Sequence, residues 1–464
     1  MKYKTLLATL LLSPSLFAAN EPATAIKIFA PQWKDSTLFL CSYFNGALYK
    51  ADSIRLSAEG RGTFESPEAY PEGQYAILLN QHRYFDVLLS DDQRFSIALA
   101  DTGNLVGSNK IEGAPQSEAF LEYARYLFAK QEERRQLSDK AKEDPSDAQQ
   151  AHFQSQMNRL NEEVEHFMDH FQQQYAGRWV GDYFKGVQPV EGPHPSPKTQ
   201  EEYLRQVNYL NRHYFDRINL QDVRFWRTNY FPEKIDAYLN HIVYKHPDSL
   251  ANAASRLVAR TLGDTLCFRL MLSHLVNYSA NNKIMGMENI WAKLAEDYIF
   301  NKRATWVDSA YYATLDFEYR KIRYNRIGMS AADLKMQRID GQTISLLQLR
   351  SDYVLVYFFE PSCSHCRKTT PPIHDKIYHK YKSKGFEVFC VYTMTDRDEW
   401  LKFIEEHHLE DWINVWDPDR KSYFWLYYDT SVTPGVYLLD KSRKIIAKKL
   451  DEESLDKVLE SIIK

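Results

Sequence analysis

The sequence predicts a multidomain α+β protein: an N-terminal antiparallel β module, a helical middle domain and a C-terminal α/β domain. Three observations carry this. The chain has 464 residues, enough for two to four domains. The hydrophobic period changes twice, near residues 115 and 328. The last stretch alternates strand-like and helix-like segments around one continuous apolar run, Tyr353 to Phe359, as in a sheet covered on both faces.

Composition narrows the function classes. With 44% hydrophobic, 26% charged and 14% aromatic residues, the chain is neither disordered nor low in complexity. Its formal net charge of −4 gives no strong basic balance that would argue for nucleic acid. Beyond the first twenty residues no apolar run reaches the length of a membrane span, so no integral membrane segment is expected after the leader is removed.

The leader is residues 1–19. Lys2 and Lys4 give a positive start, Leu6 to Phe17 is mostly apolar, and the small residues Ala18 and Ala19 follow. That order is the layout of a secretory signal peptide, and it predicts export to the periplasm. No cysteine follows it to carry a lipid.

Residues 22–114 form short apolar runs, among them Thr37 to Leu40, Gln74 to Leu78 and Phe95 to Leu99. Asn45-Gly46, Gly60 to Gly62, and Pro71 to Gly73 separate them as turns. This spacing predicts a sandwich-like β domain. From Ser117 the period becomes helical, with Phe120, Tyr123, Ala124, Leu127 and Phe128 on one face. Asp144-Pro145-Ser146 breaks that helix, and a second runs to about Tyr175. The proline-rich stretch Val187 to Lys198 reads as a loop, and helical patterns resume through residue 327. The helical domain therefore spans 115–327, and residues 328–464 form the last domain. In it Asp340-Gly341 is a hairpin turn, and a helix follows Phe359 directly.

The chemistry lies in the cysteines. Of five, only Cys363 and Cys366 are close in sequence. Cys41, Cys267 and Cys390 sit in apolar segments and read as core residues. Zinc would need a second Cys or His pair at ligand spacing, and the adjacent His407 and His408 do not provide one. His241, His246 and His274 read as structural. Neither a metal nor an organic cofactor is expected.

Cys363-Ser364-His365-Cys366 falls where a central strand meets a helix N-terminus. Free backbone N–H groups and the helix dipole stabilise a thiolate on Cys363 there. A stabilised thiolate is the attacking species. Cys366, one turn on, is placed to close a disulfide and resolve a mixed one. A cationic or hydrogen-bonding His365 favours the thiolate further and makes the pair more oxidising.

In this setting the C-terminal domain resembles the thioredoxin fold, and within it the exported TlpA-like thiol:disulfide oxidoreductases. The resemblance rests on Asp340 to Leu346 as the entry hairpin, Val354 to Cys366 as strand and redox loop, Pro371 as the kinking proline, and Trp416 to Asp419 before the Thr433-Pro434-Gly435 loop. It implies a cis Pro434 facing the cysteines, with the Thr433 backbone offered to a bound peptide. It also implies protein thiols and disulfides as substrates and a redox partner protein. Two positions depart from the pattern. Ser362 stands where tryptophan usually precedes the first cysteine, and Tyr357 stands where thioredoxin carries a buried acid. Glu360 is then a candidate proton acceptor for Cys366, although a solvated carboxylate at a strand end is the blander reading. The earlier segments resemble the small β domain and the helical domain of unknown function that precede thioredoxin modules in exported Bacteroidetes proteins. The alternative function is an exported binding or scaffold protein without redox turnover. A peroxidase is disfavoured, because Glu360 occupies the place of the Thr or Ser three residues before a peroxidatic cysteine.

Overall fold

The computed structural model describes residues 22–463 except 81, 102, 144, 145 and 283. The leader at 1–19 and the Asp144-Pro145 break lie outside the described residues. The chain divides into two units. One comprises the chain up to Pro189 with Phe215–Ile218 and Val223–Phe231; the other comprises Val190–Tyr214, Asn219–Asp222 and Pro232–Lys464.

Among the described residues the first unit holds eight strands: β1 (Thr24–Phe29), β2 (Thr37–Phe44), β3 (Ala47–Arg55), β4 (Arg61–Ser66), β5 (Gly73–Leu78), β6 (Tyr84–Leu89), β7 (Arg94–Leu99) and β8 (Asn109–Glu112). They form two four-stranded sheets, ordered β4-β1-β7-β8 and β3-β2-β5-β6. Alternate residues of both, such as Ile26, Ile28, Leu38, Leu40, Ile77, Val87 and Ile97, meet in one core. The pairings are antiparallel except β1 with β7, which run parallel. That parallel pair is possible because β1 and β7 are far apart in sequence and no hairpin joins them. Helices Pro115–Glu143, Asp147–Gln174 and Trp179–Val187 belong to this unit. Trp179–Val187 is apolar on most sides, with Trp179, Val180, Tyr183 and Phe184 buried, and the sequence pattern did not announce it.

The second unit carries helices Gln200–His213, Pro247–Ala259, Thr265–Asn281, Glu288–Leu294 and Ser309–Ile322, followed by a seven-stranded sheet. Its strands are β9 (Lys335–Arg338), β10 (Thr343–Ser345), β11 (Tyr353–Phe359), β12 (Phe386–Tyr392), β13 (Ile413–Trp416), β14 (Gly435–Leu439) and β15 (Ile445–Lys448). The order is β10-β9-β13-β12-β11-β14-β15. β11, β12 and β13 are parallel, and β14 runs antiparallel beside β11. Gly341, with φ 80°, closes the β9–β10 hairpin in the left-handed conformation that a residue without Cβ adopts at no steric cost.

The continuous apolar run of β11 has a direct explanation. Leu355, Tyr357 and Phe359 point into the core on one face, and Val354, Val356 and Phe358 into the core on the other. A strand with both faces covered leaves no position for a polar residue. β13 was not expected from the sequence, because Ile413-Asn414-Val415-Trp416 is too short to show a period. It becomes a strand by pairing with β12 and β9.

Candidate functional site

β11 ends at Phe359, and Cys363 is the N-cap of helix Ser364–Pro372. The backbone N–H of Cys366 donates to Cys363 Sγ at 3.4 Å. This satisfies a donor that every helix N-terminus leaves open, and it brings the partial positive charge of the N–H beside the sulfur. The guanidinium of Arg367 donates to the Pro361 carbonyl at 2.7 Å and holds the turn between strand and helix.

The two thiols sit in contrasting surroundings. Cys363 is partly exposed, whereas Cys366 is fully buried. Burial opposes ionisation of Cys363, but hydrogen bonds from the Thr433 side chain, from both groups of Cys366 and from the His365 backbone outweigh it, and the thiol falls below its ordinary value. Burial pushes Cys366 up to about 12, the Glu360 backbone N–H opposes it, and the neighbouring Cys363 adds to the rise. One sulfur is thus prepared to be a thiolate and the other to remain a thiol.

A second segment completes the site. The Thr433–Pro434 peptide is cis. Cys363 Sγ donates to the Thr433 carbonyl at 3.2 Å. Gly435 starts β14 directly after, and a Cβ there would meet Phe358 Cβ at 3.3 Å and the Asp429 carbonyl at 3.4 Å. The lack of a side chain lets the loop lie close against β11. Val432, just before the loop, is 73% exposed and leaves an apolar side chain in solvent.

The expected residues are placed as follows. Cys363, Cys366 and Thr433 converge, and Pro434 follows Thr433 in the same loop. The His365 ring is exposed, and what this residue brings to the sulfur is its backbone N–H. The Glu360 carboxylate accepts from Thr393 Oγ1 at 3.4 Å, and its carbonyl accepts from Cys363 N–H at 3.1 Å. Tyr357 is fully buried, with its hydroxyl 2.9 Å from Thr370 Oγ1. A neutral hydroxyl pair thus fills the place where an acid would stand. Thr370 escaped sequence reasoning because a threonine inside a helix carries no signal of its own. Cys390 is paired in register with Tyr357 and buried, with its thiol pushed well above the ordinary range by that burial. Cys41 and Cys267 are buried too.

Pro371 and Pro372 lie inside the helix. Each lacks an N–H for the ladder, and the helix continues as a wider turn over Ile373–Tyr378 with i→i+5 geometry.

Comparison with known proteins agrees with this geometry. Residues 351–445 match the family model described as thioredoxin-like. A domain of a possible thiol-disulfide isomerase from Cytophaga hutchinsonii is 33% identical, covering 29% of this chain and 92% of that one, with a TM-score of 0.28. Residues 351–445 thus form a thioredoxin-like domain, similar to those of thiol:disulfide oxidoreductases. The thioredoxin domain of a Bacteroides vulgatus thiol-disulfide oxidoreductase is 32% identical, covering 30% of this chain and 98% of that one, with a TM-score of 0.28. Thiol-disulfide oxidoreductase ResA of Bacillus cereus is 25% identical over 137 residues, which is 29% of this chain and 75% of the relative. Among the described residues no helix is long and apolar enough to cross a membrane.

Proposed function

We propose that this chain is a periplasmic thiol:disulfide oxidoreductase that exchanges disulfides with protein substrates through Cys363 and Cys366. The observation that carries the reading is the asymmetry of the pair. The exposed sulfur has its pKa lowered, and the buried one has it raised to about 12.

In the reducing direction the Cys363 thiolate attacks one sulfur of a client disulfide. A mixed disulfide forms, and the other client sulfur leaves as a thiolate. Cys363 then no longer carries charge, so its repulsion of an ionised Cys366 ends. Cys366 gives up its proton to solvent or to Glu360, attacks Cys363 Sγ, and releases the second client thiol. Two electrons have passed to the client, and the Cys363–Cys366 disulfide must be reduced by a partner protein. The oxidising direction runs the same steps in reverse. The Thr433 backbone borders the sulfur; an extended client peptide can pair with that backbone as an added strand, in a groove that Pro434 helps to shape. His365 tunes the potential. The leader at 1–19 supplies export.

Insulin reduction with dithiothreitol tests the exchange. The wild-type protein accelerates precipitation of the insulin B chain, and Cys363→Ser does not. Equal rates would favour a binding protein with a thioredoxin-like scaffold. Equilibration with glutathione then sets the direction: a potential near about −270 mV marks a reductant and one near about −120 mV an oxidant.

A further inference from the structure

The wide turn after the active-site helix brings together residues that the thiol chemistry does not use. His374 and His379 are five residues apart. In a regular α-helix that spacing turns side chains about 140° away from each other. The i→i+5 geometry of Ile373–Tyr378 returns them to one side, with ring centroids 4.7 Å apart at 70°. Asp411, in the segment before β13, completes the group. One ligand atom from each of His374, His379 and Asp411 lies within 4.8 Å of the others.

The surroundings are those of a prepared ligand set. His374 is buried, and both of its ring nitrogens face carboxylates: Nδ1 lies 2.9 Å from Asp375 Oδ1 and Nε2 lies 3.0 Å from Asp411 Oδ1. A carboxylate on the far nitrogen of a ligating imidazole orients the ring for its metal, and Asp375 is so placed. With Nδ1–H donated to Asp375, the Nε2 lone pair is on the Asp411 side, where the two atoms can share a cation. The Tyr378 hydroxyl donates to the Asp411 carbonyl at 2.7 Å and fixes the third ligand's backbone. His379 and Asp411 are exposed, which leaves an entry path and room for water as a further ligand. Lys382 Nζ, 3.6 Å from Asp411 Oδ2, is the competing cation.

We propose that His374, His379 and Asp411 bind one divalent transition-metal ion of the zinc class. Two imidazoles and a carboxylate suit that class, whereas calcium and magnesium prefer oxygen alone. The bound ion ties the segment following the active-site helix to the segment that enters β13.

Isothermal titration of Zn²⁺ into the untagged full-length chain carrying Cys363→Ser and Cys366→Ser tests this without the reactive thiols. One ion per chain is expected. His379→Ala or Asp411→Asn in that background, both at exposed positions, weakens the affinity at least tenfold. Lys382→Gln tightens it several-fold by removing the competing charge. Absence of zinc binding in the background protein, or an affinity unchanged by both His379→Ala and Asp411→Asn, would overturn the proposal.

Discussion

Replacing Cys363 with serine isolates Cys366, and its reactivity can be worked out in advance. The Cys366 thiol is fully buried, and that burial places its pKa at about 12. Removing Cys363 takes away a neighbour that adds to the rise, but desolvation is the larger cause and remains. At pH 7 a thiol with a pKa of about 12 is ionised in about one molecule in 10⁵, against about three in a hundred for a free cysteine of pKa about 8.5. The thiolate is what iodoacetamide alkylates, so Cys366 should react on the order of 10³-fold more slowly than a free thiol at that pH. Restricted access also slows it, and the pH profile separates the two effects. Access scales the rate equally at every pH, whereas the pKa moves the inflection. Alkylation of the Cys363→Ser protein, followed by mass spectrometry from pH 5 to 11, should therefore rise through the whole alkaline range. The Cys366→Ser protein should inflect below the ordinary thiol value, because the backbone N–H groups of residues 365 and 366 and the Thr433 side chain still hold the Cys363 thiolate. If Cys366 inflects near 8.5, or Cys363 at or above it, the asymmetry behind the proposed exchange is wrong.

Two further outcomes follow from buried charges. Lys448 is almost wholly buried; its Nζ lies 2.6 Å from Glu288 Oε1 and donates to Asn325 Oδ1 at 2.8 Å. Lys448→Met should cost about 3 kcal/mol in a urea titration by leaving Glu288 uncompensated, and adding Glu288→Leu should recover most of it; no recovery would mean that packing, not charge, is at stake. Asp86 in the β module has its carboxyl raised to about 6 by desolvation, against the opposing hydroxyl of Tyr43 at 3.1 Å and the Gln74 side chain. A raised carboxyl pKa stabilises the fold below its unfolded value near 3.9, and that contribution is lost as pH climbs through the folded value. Unfolding free energy should therefore drop by about 2 kcal/mol between pH 4 and 6.5 from this group, and Asp86→Asn should flatten that slope.

The sequence by itself determined the elements whose signals are local. The two-faced apolar run of β11, the Asp340-Gly341 hairpin and the cysteine pair after a strand are all contiguous residues, and their physics needs no distant partner. Period and turn chemistry were therefore enough to read them. Tertiary structure alone decided what depends on a neighbour far along the chain. Ile413–Trp416 is a strand only because β12 and β9 offer their edges, and β1 runs parallel to β7 only because no hairpin ties them. The Thr433 carbonyl reaches Cys363 across seventy residues of sequence. The two sulfurs, alike on paper, differ because one lies at the surface and the other under the core, and desolvation is set by what packs around an atom. His374 and His379 share a side of their helix because two prolines withdrew their donors and the turn widened, a backbone adjustment that spacing rules for regular helices do not contain.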